Sequence, residues 1–235
     1  MKTTAIVLAA GKGSRMKSDI KKQYMLLSGK PVVCYSIDAF ERCPSVDEII
    51  LVCNQGEEEQ CRRQIVEKYH YNKVTGIVAG GKERYHSVYE GLKEAGDECG
   101  IVLIHDGARP LLDEAMIQRL LSEVRESHAC VAGMPVKDTI KMSGADGYGD
   151  ETLPRERLWM IQTPQVFDYP LILSAHEQLM ECDDEQLKIT DDAMVLEYIS
   201  GRKAKLVEGS YANIKITTPE DLLIAEALLA NREKR

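Results

Sequence analysis

The chain has 235 residues, 44% of them hydrophobic, which is enough to bury a substantial core in one α/β domain. Its net charge of −8 argues against a nucleic-acid-binding surface. No apolar run approaches the roughly 20 residues of a membrane span. The seven cysteines, at positions 34, 43, 53, 61, 99, 130 and 182, form no CxxC pair and no zinc-ligand spacing with histidine. They read as small core or surface residues in a reducing compartment, and with no signal-peptide core at the N-terminus a cytoplasmic location is expected.

Ala5 to Leu8 are apolar without a break, as in a parallel strand buried on both faces. Ala9-Ala10-Gly11-Lys12-Gly13-Ser14-Arg15 follows. Its small side chains let backbone N–H groups approach a ligand closely, and successive N–H groups in such a turn make an anion-binding concavity. Lys12, Arg15, Lys17, Lys21 and Lys22 add cations to this short segment of an acidic chain. A loop holding a nucleoside triphosphate is the expectation. Two better-known glycine loops are excluded by spacing. The third glycine of the dinucleotide fingerprint is replaced by Met16, and Met16-Lys17-Ser18 stands where a P-loop needs Gly-Lys-Ser/Thr. On spacing alone the motif is weak, and a plain surface turn with solvated lysines stands beside it as an alternative.

Pro31 to Phe40 reads as a helix after a Gly29-Lys30 turn, with Val32, Val33, Ser36, Ile37 and Phe40 on one face. Glu48 to Cys53 is a second buried strand. Glu57 to His70 is a polar helix whose acidic run reads as a solvated face. Val74 to Val78 is a third strand, ending in Ala79-Gly80-Gly81-Lys82-Glu83-Arg84. The next helix carries Tyr85, Val88, Tyr89 and Leu92 on one side. Gly81 and Ser87 could edge a nucleotide base; a turn with a capping serine is the reading that these residues favour by themselves.

Ile101 to Ile104 is a fourth buried strand running into His105-Asp106-Gly107-Ala108-Arg109-Pro110. A carboxylate at the carboxyl end of a central strand lies in the crevice where open α/β sheets bind ligands. Beside a triphosphate, Asp106 suits magnesium, which often takes only one or two carboxylates. The alternative is Asp106 capping the turn and pairing with Arg109. His105 reads as an orienting or packed residue, because a phosphate nucleophile needs no base.

Asp113 caps a helix with an apolar stripe from Met116 to Val124, and Cys130 to Val136 is a fifth strand. The strand–helix alternation then stops. Residues 137–160 hold Asp138-Thr139-Ile140-Lys141, a Gly/Asp-rich turn and Pro154-Arg155, which suggests a projecting hairpin that packs on a second subunit. Gln162 to Phe167 returns to the core. Tyr169 to Met180 and Thr190 to Ile199 read as helices, the latter capped by Thr190 and opened by Asp191-Asp192. Lys205 to Glu208 and Asn213 to Thr217 read as a closing strand pair, within which Lys215 is an exposed lysine on the bland reading. Thr218-Pro219-Glu220-Asp221 opens the last helix. No repeat or linker divides residues 1–235, so a single domain is expected, with 137–160 as a dimerisation arm.

AIVLAAGKGSRM with KQY, GGKERYHSV, HDGARP, PVKDTIK, PRERLW, QTPQVF, ITDDA and NIKITTPEDL occur in one order over nearly the whole chain. Together they resemble the 2-C-methyl-D-erythritol 4-phosphate cytidylyltransferases of the non-mevalonate isoprenoid pathway. The resemblance implies a Rossmann-like three-layer nucleotidyltransferase domain, with a mostly parallel sheet and a projecting β-arm that builds a homodimer. It also implies magnesium-dependent transfer of a cytidylyl group from CTP to a sugar-alcohol phosphate. Position by position, Arg15 and Lys22 match catalytic cations around the triphosphate, while Lys21 stands where Pro is often found and reads as solvated. Ala9, Ala10, Gly81, Lys82 and Ser87 match cytidine contacts, alongside Gly11 and Gly13 of the loop. Asp106 and Arg109 match the element beside the phosphates and magnesium. Thr139, Arg155 and Lys215 match positions that orient the methylerythritol phosphate, Thr139 and Arg155 by reaching into the partner's site. One departure stands out: Ala212 occupies a position that is often acidic.

Three rivals are weighed. Ribitol 5-phosphate cytidylyltransferases resemble the same fold and loop, but Asp138-Thr139-Ile140-Lys141 and HDGARP favour methylerythritol phosphate. A non-catalytic nucleotide sensor would have lost the phosphate cations, yet Arg15, Lys22 and Lys215 are present. An NAD-dependent oxidoreductase fails at Met16.

Overall fold

In the computed structural model the described residues are 1–11, 21–182 and 188–232, with the backbone alone for Lys22. Gly13 and Arg15, and the lysines at 12 and 17, lie outside them, as does the side chain of Lys22.

Strand β1 (Lys2–Leu8) leads to a short hairpin of β2 (Leu26–Leu27) and β3 (Lys30–Pro31). The turn between them is Ser28-Gly29, both at positive φ, the geometry that two-residue hairpins require. Pro31 stands at the N-cap position of α1 (Val32–Arg42), one residue outside the helix and without a side-chain hydrogen bond to it. Then come β4 (Glu48–Cys53) and α2 (Glu58–Cys61), which widens into a π-helical stretch at Arg62–Glu67. The single polar helix expected over 57–70 is thus shorter and changes pitch. Next are β5 (Val74–Ala79), α3 (Arg84–Ala95), β6 (Cys99–Asp106), α4 (Glu114–Ser127) and β7 (Ala129–Pro135).

The antiparallel pair β8 (Lys141–Ser143) and β9 (Gly149–Thr152) forms the expected hairpin, exposed along both strands. The chain returns through β10 (Trp159–Asp168) to α5 (Tyr169–Glu181), α6 (Asp192–Ser200), β11 (Lys205–Glu208) and α7 (Pro219–Arg232). Asp191, rather than Thr190, caps α6, its carboxylate accepting from the Met194 N–H. Residues 213–217 form no strand; β11 pairs in parallel with β7 instead.

Seven strands form one sheet in the order β11-β7-β10-β6-β1-β4-β5, in which only β10 runs antiparallel to its neighbours. Alternation along the central strands sorts side chains into two cores. Ala5, Val7, Ile49 and Leu51 face α1 and α4, while Ile6, Ile50, Val52 and Ile104 face α3, α5 and α6. Such strands must be apolar throughout because both faces are covered. Each fully buried Ile or Leu contributes roughly 1.5–3 kcal/mol. The mostly parallel three-layer α/β arrangement matches the expected fold class. From β1 the chain moves outward to β4 and β5, then crosses back to β6 on the other side, so the strand order reverses between β1 and β6. At such a switch point the loops diverge and leave a crevice at the carboxyl ends of the strands.

Candidate active site

The crevice is a cavity of about 420 Å³ at this switch point. Leu8, Ala10 and Gly11 from the end of β1, Gly81 to Arg84 and Ser87 from the β5–α3 junction, and Asp106 and Ala108 after β6 line it, with Gln23, Asn54 and Lys215. In register, Leu8 lies beside Asp106 at the ends of β1 and β6.

Small residues are needed where three loops crowd together. A Cβ on Gly80 would come within 2.6 Å of the Ala10 Cβ and 2.7 Å of the Ser87 Oγ, and one on Gly81 within 2.4 Å of the His86 Cβ. Ser87 Oγ accepts the Gly81 N–H at 3.1 Å and donates to the Glu83 carbonyl at 3.2 Å. Ser87 therefore ties the turn to α3, but it does not cap the helix. That cap is a box in which Glu83 accepts from the His86 backbone and His86 Nδ1 accepts from the Glu83 N–H. Ala9 is buried, its N–H bonded to the Val52 carbonyl, so among the described residues Ala10 and Gly11 are the small residues after β1 that face the crevice. Lys82 is exposed at the rim.

Two elements on the β1 side of the crevice carry no assignment from sequence. Gln23, in the KQY segment, is buried and its Nε2 donates to the carbonyls of Ala9 and Gly11, holding the start of the glycine loop. Glu57 does not lie on a solvated face. Its carboxylate receives the Lys21 ammonium, the Tyr24 hydroxyl at 3.2 Å and the Asn54 amide at 3.1 Å. Lys21 is thus ion-paired, not solvated, and the segment that carries Lys22 is latched to the start of α2.

Asp106 is the most strongly organised group in the crevice. Its Oδ2 lies 2.6 Å from Lys215 Nζ and its Oδ1 3.3 Å from Arg84 Nε. Burial alone would raise its pKa, but the charges of Arg84, Lys215 and Arg109 outweigh that and hold it well below the usual carboxylate range. The pairing with Arg109 weighed from sequence is absent; Arg109 Nη1 donates instead to the Asn213 carbonyl at 2.8 Å. Asp106 N–H donates to Thr163 Oγ1 at 3.0 Å. Lys215 is not a bland strand lysine: Arg109 braces Asn213, and Ile216 N–H bonds the Ala108 carbonyl, so the 213–216 segment is pinned over the end of β6. Arg84, within GGKERYHSV, carries no sequence signal of its partner. It forks onto buried Asp192 with two bonds of 2.9 and 2.8 Å.

His105 is fully buried against the Phe40 ring, with Nδ1 3.0 Å from Thr163 Oγ1 and Nε2 3.2 Å from the Arg109 carbonyl. Burial lowers its pKa to about 4, so it is a neutral packed residue at pH 7, as expected from sequence.

Thr139 and Arg155 do not line the crevice of their own chain. Both are exposed on the arm, where Arg155 Nη1 bonds the Lys137 carbonyl at 3.2 Å.

Among the described residues Asp106 and Glu83 are the carboxylates that line the crevice, and Glu83 is committed to capping α3. Among the described residues no group of three or more His, Cys, Asp or Glu could hold a metal ion. One carboxylate fits magnesium that keeps phosphate oxygens and waters as its other ligands; it does not make a cage for a metal held by protein alone.

The family profile described as 2-C-methyl-D-erythritol 4-phosphate cytidylyltransferase matches residues 3–231. A relative of that name in Clostridium kluyveri is 49% identical over 222 residues, covering 94% of each chain. Another in Alkaliphilus oremlandii is 48% identical over 233 residues, covering 99% of this chain and 97% of its own. Among solved structures, the 4-diphosphocytidyl-2C-methyl-D-erythritol synthase of Anaerococcus prevotii superposes with a TM-score of 0.84 at 35% identity, covering 97% of this chain and 96% of its own. These similarities run the length of the chain, which therefore belongs to the 2-C-methyl-D-erythritol 4-phosphate cytidylyltransferase family.

Proposed function

We propose that the protein transfers the cytidylyl group of CTP to 2-C-methyl-D-erythritol 4-phosphate, giving 4-diphosphocytidyl-2-C-methyl-D-erythritol and pyrophosphate for isoprenoid precursor synthesis. The observation that carries this reading is the Asp106–Lys215 pair sharing one crevice with the Gly81–Arg84 turn at the β1/β6 switch point. Ala10, Gly11, Gly81, Lys82 and Ser87 line the base side. Gly13 belongs to the same loop, with Arg15 and Lys22 as the triphosphate cations. Arg109 and Lys215 serve the sugar phosphate.

The chemistry needs little from the protein beyond charge and alignment. The phosphate oxygen of the acceptor is an anion at pH 7 and attacks the α-phosphorus directly, forming the new P–O bond as the bond to pyrophosphate breaks. The barrier is repulsion between two anions and charge growth on the α-phosphate and the leaving group. Lys22, Arg15 and Lys215 offset both, and the two pockets hold the reactants in line. Asp106 would be the residue to hold magnesium, which would supply further positive charge to the phosphates. His105, buried and neutral, takes no part in proton transfer.

The arm fits a second role. Ile140, Met142, Tyr148, Met160 and Ile161 are exposed on or beside it, too much apolar surface for a free hairpin to present to water without cost. A homodimer built through residues 137–160, with Thr139 and Arg155 of each subunit completing the other's crevice, accounts for that surface.

A pyrophosphate-release assay with CTP and magnesium tests the activity. Release with 2-C-methyl-D-erythritol 4-phosphate and not with ribitol 5-phosphate supports it, as does loss of release on chelation with recovery on adding magnesium. Release with ribitol 5-phosphate alone overturns the substrate assignment. Sedimentation at micromolar concentration distinguishes dimer from monomer.

A further inference from the structure

We infer that Arg84 and Asp192 are positioning residues for this reaction: Asp192 clamps the Arg84 fork so that one N–H is presented to Asp106 and the other Asp106 oxygen is left to Lys215. The inference rests on the cytidylyltransferase reading above.

Arg84 opens α3 and Asp192 opens α6, far apart in sequence. Three donors of the guanidinium are used on two carboxylates. Nη1 and Nη2 meet the two Asp192 oxygens at 2.9 and 2.8 Å, and Nε meets Asp106 Oδ1 at 3.3 Å. The guanidinium is planar, so fixing its fork at one end fixes the direction of Nε at the other. Asp192 can serve as the fixed end because it is fully buried and its own backbone is held. Gln165 Oε1, on β10, accepts the N–H groups of Asp192 and Ala193 at 3.0 Å each. Gln165 in turn sits opposite Ile104 on β6, two residues before Asp106. The path from α6 to the crevice is therefore a closed ring through α3, β6 and β10.

The charges give the ring its consequence. Asp106 and Asp192 carry two negative charges, and Arg84 and Lys215 carry two positive ones. Because Asp192 holds the shorter, two-pronged bond, Arg84 takes only a long single contact with Asp106, and Lys215 holds the close one at 2.6 Å. Replacing Asp192 by Asn removes one negative charge and leaves the guanidinium a single carboxylate, Asp106, for which it then competes with Lys215. The ammonium that serves the sugar phosphate is displaced, or Asp106 turns away from it. The base side of the crevice, at Gly81 and Ser87, makes no direct contact with that pair.

The experiment is a double-mutant cycle between Asp192 and Lys215, read by pyrophosphate release, with a crystal structure of Asp192→Asn. Asp192→Asn is expected to lower kcat/KM for the sugar phosphate by about 10- to 100-fold, the cost of displacing a reacting group by about an ångström, with a smaller change in the KM for CTP. In a Lys215→Gln background the same substitution is expected to cost much less, because the group it acts through is gone. Equal losses in both backgrounds overturn the inference, since residues that act independently give additive free energies. So does a structure of Asp192→Asn in which Asp106 and Lys215 keep their wild-type separation. Should Asp192→Asn fail to fold, Arg84→Lys keeps the charge but not the fork; it is expected to show the same selective loss, and wild-type kinetics for it overturn the inference. A wild-type protein that forms no cytidine diphosphate product defeats the functional reading, while the crystal structure still decides the geometry.

Discussion

The Lys215 ammonium lies 2.6 Å from Oδ2 of Asp106, joining the HDGARP turn after β6 to a segment more than a hundred residues later. Asp106 is buried, and burial of an unpaired carboxylate would be costly, so Lys215 and Arg84 are what keep it ionised. Two motifs that look independent in sequence are one electrostatic unit.

Lys22 is proposed as one of the triphosphate cations. Lys22→Ala is expected to lower kcat by about 10²-fold or more, the scale for removing a preorganised group that stabilises developing charge. Steady-state pyrophosphate release together with a thermal melt checks it; near-wild-type turnover in a folded variant removes Lys22 from the mechanism.

Arg155 is exposed on the arm and outside its own chain's crevice. Arg155→Ala is expected to raise the KM for the sugar phosphate by roughly 10-fold or more while sparing CTP, because it removes binding to one substrate only. Kinetics with each substrate varied in turn decide this. Harm confined to CTP binding would show that the arm does not serve the acceptor.

Gly80 is held between Ala10 and Ser87 at distances that no added Cβ can share. Gly80→Ala is expected to cost about 1–3 kcal/mol of stability through overpacking. It should also weaken CTP binding, since the turn carrying Gly81 must move. Thermal unfolding and a CTP titration on the same preparation test both; unchanged values would mean that the loops have slack.

His105 and His176 are both fully buried, and burial lowers the pKa of each to about 4. The unfolded chain takes up these protons near pH 6.5, before the folded protein does, so between those values it binds more protons. Stability is therefore full above about pH 6.5, falls as the pH drops towards 4 and levels off below, with a slope approaching 1.4 kcal/mol per pH unit for each histidine. Denaturant unfolding at a series of pH values measures the slope. His176→Leu is expected to reduce it by roughly half, and an unchanged slope would show that His176 does not titrate this way.

Local pattern alone determined much of this protein. Runs such as Ala5–Leu8, Glu48–Cys53 and Ile101–Ile104 are apolar because both faces of the strand are covered, and that condition is written in each residue without reference to the rest of the chain. The Asp113 cap and the exposed arm hairpin were legible for the same reason: their causes lie within a few residues. So were the family and the loops that edge the crevice, from motifs quoted in order.

Tertiary structure decided the pairings. Asp106 could as well have met Arg109, three residues on; the fold turned Arg109 to Asn213 and brought in Arg84 and Lys215 instead. Lys21 and Glu57 each read as solvated until the loop after β1 met the start of α2. The strand expected at 213–217 did not form, because β11 has β7 as its neighbour, while the 213–217 segment is tied to the turn after β6. A charged side chain carries no signal of which distant opposite charge it will reach. That choice depends on where the sheet order places strand ends, and strand order is a property of the whole chain.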